Sequence, residues 1–195
     1  MSASLTATLR ILEPYPGIFA YYDGRIEGKR LWSEEKNWLD DGAYALGVAS
    51  YAVVSQDEAL VYDTHISLDH AKAVRDHLDS FGVRSIRVVL SHWHTDHIAG
   101  NAVFADCEII ANRLTAEAMQ VNEAGLAQKT PPISPVVMPT TLFDERMSLR
   151  VGALDVELQR FDIHSADGTV MLVPAHNLLF AGDTLEDTIT YLSEP

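Results

Sequence analysis

Residues 88–101 read VVLSHWHTDHIAGN, a β-branched apolar run followed at once by His92, His94, Asp96 and His97. Four potential metal ligands within six positions are hard to explain as a plain turn between a strand and a helix. Side chains two apart in an extended segment point the same way, so His92 and His94 are set to pinch one ion. As the chain curls towards a helix, Asp96 and His97 turn back towards a second position beside the first. Imidazole and carboxylate together suit Zn²⁺, with Fe and Mn as alternatives.

The surrounding pattern is mixed α/β. LRILEP and GIFAYY read as short strands on either side of a turn, and VASYAVVS and EALVYDT as a hairpin of buried strands. SLDHAKAVRDHLDSFG has the spacing of an amphipathic helix, with Leu68, Ala71, Val74, Leu78 and Phe81 on one face, Ser67 as N-cap and Gly82 as stop. SIRVVLS is a strand that leads into the histidine motif, and IAGNAVF beyond it reads as a short helix. EIIAN is a further strand, RLTAEAMQVNEAGLA a helix, and TPPISPVVMPT a proline-rich loop. MSLRVG, LDVELQRFDI, TVMLVP and NLLFAG close the chain strand after strand.

Composition narrows the function classes. The 195 residues suit one domain, 1–195, and 47% of them are apolar, which marks a globular chain. No apolar run approaches the ~20 residues of a membrane span, so no membrane partner is expected. The net charge of −14 repels phosphate backbones and speaks against nucleic acid as a partner. Cys107 is the single cysteine, so no internal disulfide forms. With no secretory leader in MSASLTATLRILEPYPG, a reducing, cytoplasmic location is expected.

HWHTDH resembles the H-x-H-x-D-H signature of the metallo-β-lactamase superfamily. The resemblance extends to FDIHSADGTVMLVPAHNLLFAGDT, which reads as the family's later histidine followed by strand, turn, strand and Gly-Asp. It implies an αββα sandwich with metals at one edge. It implies that His164 completes the first metal's ligands with His92 and His94. Asp183 would bridge both metals, and Asp96 and His97 would serve the second, Asp96 also orienting a catalytic hydroxide. One or two Zn²⁺ ions would activate water to attack the carbonyl of an ester, thioester, lactone or amide of a small-molecule substrate. A β-lactamase proper is one alternative. A non-catalytic metal-binding or interaction protein with a decayed site is another.

The pattern breaks after Asp183. The family usually supplies one more histidine there, with further strands and a closing helix, whereas TLEDTITYLSEP contains no histidine. Truncation, completion of the site by another chain, and a weak second site all fit. A sandwich lacking its last layer exposes apolar surface, so a homo-oligomer is expected.

The remaining candidates have plainer readings. Asp63 is a candidate partner to a ligand histidine. His65 reads as a polar turn residue, His70 and His77 as solvated positions off the helix stripe, and His176 as surface. Cys107 reads as a small buried residue rather than a nucleophile. Trp32 and Trp38 either stack on a substrate or anchor their long polar loop.

Overall fold

A computed structural model of the protein describes residues 5–24, 26, 30, 32–40 and 46–185. A seven-stranded sheet runs in chain order: β1 (Arg10–Tyr15), β2 (Ile18–Asp23), β3 (Val48–Ser55), β4 (Glu58–Tyr62), β5 (Ser85–Val89), β6 (Glu108–Asn112) and β7 (Thr141–Phe143). The first four strands pair antiparallel, β1 to β2 and β3 to β4 through tight turns and β2 to β3 across the long segment 24–47, whereas β4 through β7 are parallel. Parallel neighbours need crossover connections. These are helix α1 (Leu68–Ser80), the short helix α2 (Thr95–Ile98) with the 3-10 turn after it, and helix α3 (Arg113–Gln128). A second, antiparallel sheet has the order β11 (Leu178–Phe180), β10 (Thr169–Val173), β9 (Leu154–Arg160), β8 (Arg146–Val151).

Strand alternation sorts the apolar residues into two cores. Ala59, Val61, Val88, Ile109 and Ala111 face the helices, where they meet Ala71, Val74 and Leu78 of α1 and Met119 and Leu126 of α3. Their neighbours Leu60, Tyr62, Val89 and Ile110 face the other sheet and meet Val156, Leu158, Met171, Val173 and Phe180. Burial on both faces is why these strands read as unbroken apolar runs. Each fully buried Val or Leu contributes about 1.5–3 kcal/mol. The outer face of the second sheet carries Ser148, Glu157, Leu172 and Leu179 and frames an open groove of about 510 Å³.

Helix α1 departs from its expected stripe at both ends. Leu68 is 47% and Phe81 55% exposed, while His70 is fully buried in their place. Ser67 caps the helix as expected, its side chain accepting from the His70 amide. The three-residue β7, which directly follows the proline-rich loop, was not foreseen. No described helix is long and apolar enough to cross a membrane. The expectations for the tail after Leu185 fall outside the described residues.

Candidate metal centre

The candidate ligands sit where several strands end together, the usual place for a ligand site in an α/β sheet. Beyond β5 the chain passes Leu90 and Ser91 and delivers His92 at the sheet edge. Beyond β4, Asp63 and His65 take positive φ values of 66° and 70°, which turn the Asp63 carboxylate back under the motif. Asp63 Oδ1 accepts from the Ser91 amide at 2.7 Å. The second sheet is tied in at the same point. Thr169 N donates to Ser91 O at 2.7 Å, and Tyr62 Oη donates to Thr169 O at 2.5 Å. Gly182 then presents Asp183. Its φ is +53°, and a Cβ there would meet Ser91 Cβ and Tyr62 Oη at 3.1 Å each, so the turn needs glycine.

Two sets of ligand atoms result. His92, His94, His164 and Asp183 form one, and Asp96, His97 and Asp183 the other, each with its atoms within 4.8 Å of one another. In the first, His94 Nδ1 lies 2.8 Å from His92 Nε2 and 3.1 Å from His164 Nε2. Asp183 Oδ2 lies 3.8 Å from His92 Nε2 and 3.7 Å from His164 Nε2. In the second, His97 Nε2 is 3.5 Å from Asp96 Oδ2 and 3.3 Å from Asp183 Oδ1. Ligands 2.0–2.1 Å from a tetrahedral zinc are about 3.4 Å apart, so these separations bracket the required spacing. Asp183 offers one oxygen to each set.

In His92 and His97 the ring nitrogen pointing away from the ligand clusters is already engaged. His92 Nδ1 meets Ser91 Oγ at 2.9 Å, and His97 Nδ1 meets Asp63 Oδ2 at 2.9 Å. Such partners fix ring orientation and leave the other nitrogen for a metal. His97 Nε2 is buried and has no hydrogen bond of acceptable geometry among the described residues. A buried polar atom left this way is costly unless something else binds it. The donor set and its spacing therefore fit a divalent cation.

Electrostatics agree. Burial, then the neighbouring imidazoles, pushes His92 and His94 below the usual histidine range and keeps them neutral. Burial opposes charge on His97 too, but Asp183, Asp96 and Asp63 outweigh it and raise its pKa. Burial disfavours the charged form of Asp183 as well, yet the charge of His97 and its contact with the carboxylate hold that carboxyl well below the usual range. A pocket that stabilises a proton among three carboxylates also stabilises a metal ion that replaces it.

The structure thus brings all six candidate ligands to one edge. Asp63 is hydrogen-bonded to a candidate ligand histidine, as its position after β4 suggested. His70 and His77 correct the expectation of solvated residues. His70 bonds Asp23 Oδ2 through Nε2 at 2.9 Å and Ser67 Oγ through Nδ1 at 2.7 Å. His77 is half-buried, with Nδ1 2.9 Å from Tyr21 Oη. His65 lies fully buried and stacks on His70 at 4.5 Å rather than sitting in an open turn. His176 is half-buried against the Tyr15 ring. Cys107 is also half-buried, packed on the helix-side core. Trp38 Nε1 donates to Pro131 O at 2.8 Å and the ring packs on the core, which makes it an anchor. Trp32 is 47% exposed. Asp167, which the sequence does not single out, is buried, accepts from the Trp93 amide at 2.9 Å and holds the motif loop.

A two-sheet sandwich with histidines and aspartates gathered at the strand ends defines a class of metal-site α/β proteins. The chain belongs to the metallo-β-lactamase superfamily, whose family model matches residues 43–195. Solved metallo-β-lactamases share the fold. DIM-1 exposed to ceftazidime superposes with a TM-score of 0.72 at 19% identity, over 95% of this chain and 76% of that one. TMB-1 gives 0.69 at 20%, over 95% and 77%. The metallo-β-lactamase from Pontibacter korlensis gives 0.71 at 15%, with the same coverage. A comparison with curated proteins returns no match.

Proposed function

We propose that the protein is a hydrolase that uses two Zn²⁺ ions to cleave the acyl C–O, C–S or C–N bond of an ester, thioester, lactone or amide through attack of water on its carbonyl carbon. The observation that carries this reading is the split of Asp183, one oxygen facing each set of ligand atoms. Bound at such a site, divalent ions supply an activated water near neutral pH and a Lewis acid for the carbonyl oxygen. His92, His94 and His164 would fix the first ion, and Asp96 and His97 the second. Asp96 is the candidate catalytic residue, holding the attacking water in line through its carboxylate. Asp63 positions the His97 ring. Ser91 and Asp167 hold the motif loop, which keeps the donor atoms preorganised. The family model and the convergent His/Asp cluster support metal-dependent hydrolysis.

A chromogenic panel of ester, thioester, lactone and β-lactam tests the reading. Turnover of at least one compound, abolished by chelator and restored by Zn²⁺, is expected. Failure of the whole panel with two ions bound per chain would contradict it. Selective turnover of the β-lactam would identify a β-lactamase proper.

A further inference from the structure

A groove of about 520 Å³ opens beside the candidate metal centre, and its lining includes Trp93, Asp96, Asn122, Gly125 and Lys129. Two of its walls have separate origins. Trp93 and Asp96 come from the ligand motif, and Asn122, Gly125 and Lys129 come from the last turns of α3 and its C-cap. The groove therefore runs directly off the candidate reacting centre.

Three features give it a chemical character. Lys129 is the basic residue of the lining, on a chain whose net charge is −14. Among the described residues it makes no ion pair, and its Nζ sits 6.0 Å over the Trp38 ring. Trp38 is itself pinned by its bond to Pro131 O, so the ammonium rests on a fixed aromatic face. Gly125 leaves the wall open: a Cβ built there meets nothing within 4 Å. Lys129 lines the same groove as His94 and Asp96 of the candidate metal centre.

We infer that this groove receives the acyl side of a carboxylate-bearing substrate, with Lys129 as the residue that selects for negative charge. The inference rests on the hydrolase reading and narrows its substrate class to organic anions. Because Lys129 is exposed, its contribution is modest and sensitive to salt.

The test compares mono-para-nitrophenyl adipate, which carries a free carboxylate, with its methyl ester, which does not. The ratio of their kcat/KM values is measured on zinc-loaded wild type, Lys129→Gln and Lys129→Arg. Lys129→Gln is expected to lower the ratio roughly fivefold, the range of an exposed ion pair. It should leave the neutral ester unchanged, and Lys129→Arg should keep the preference. Wild type in about 0.5 M NaCl should approach the glutamine variant, since screening there acts within a few ångströms. An unchanged ratio in Lys129→Gln would overturn the inference. Gly125→Leu fills the groove and should raise KM for both esters with zinc content unaltered; an unaltered KM would show that substrate does not enter there. If zinc-loaded wild type cleaves neither ester, the hydrolase reading fails on these substrates, and calorimetric titration with adipate decides the inference alone. Binding that weakens about fivefold in Lys129→Gln supports it. Equal binding, or none, overturns it.

Discussion

Two groups of histidines lie on opposite sides of the Asp63–His65 turn, and similar chemistry is put to different use in each. In one, His92, His94, His97 and His164 aim nitrogens at each other and at Asp96 and Asp183. In the other, His70 spends both ring nitrogens on Asp23 and Ser67, and His77 meets Tyr21. His65 sharpens the contrast. Its Nδ1 accepts from the Ile66 amide, while its Nε2, like that of His97, is buried without a good hydrogen bond. No described carboxylate comes within ion-pair range of His65, whereas two flank His97 Nε2. An unsatisfied ring nitrogen is therefore a weak sign of a metal ligand. Convergence of several donor atoms on one point is a strong one.

The sharpest way to break this contrast is Asp183→Ala. Both ligand sets lose an atom, but the first keeps His92, His94 and His164 while the second is left with Asp96 and His97, so metal content should fall from two ions to about one per chain by elemental analysis. Activity should drop by at least roughly a hundredfold, since even outer partners of metal ligands cost 10–100-fold. In the other group, His70→Ala leaves the Asp23 carboxylate buried without its imidazole. Urea unfolding should show a loss of about 3–5 kcal/mol, with metal content unchanged. A fall in bound metal would mean that the two groups are not separate. Asp63→Asn lies between them and frees His97 from its partner. It should weaken the second ion by about 10–100-fold in competition with a chelator and leave the first in place. Tyr21→Phe removes only the hydroxyl bonded to His77. It should cost about 1 kcal/mol and leave metal binding and turnover as in wild type.

These groups were not equally legible in the sequence. His92, His94, Asp96 and His97 stood out because six adjacent positions hold them, and a strand-to-turn path suffices to bring them together. His164 and Asp183 lie far along the chain, and only the resemblance to a known family pointed to them. His70 was misread for a physical reason. Helical periodicity reports which positions face apolar neighbours, and the partner that buries His70 is a carboxylate at the end of β2. No period within α1 records a polar pair made across 47 residues. Leu68 and Phe81 failed in the opposite sense: they continue the apolar spacing to the two ends of the helix, where their side chains remain exposed. Asp167 carried no signal at all, because an Asp-Gly pair reads as a turn whether or not its carboxylate is buried. The central strands β4, β5 and β6, in contrast, were legible because burial on both faces writes itself as apolar runs, whereas the exposed β1 and the alternating β8 and β9 rested on shorter patterns.

The most direct measurement is the zinc content of the purified protein after loading and desalting, set beside that of His97→Ala. Two ions per chain in the first and one in the second would establish the two-ion site built around Asp183. One ion or none in the wild-type protein would contradict it.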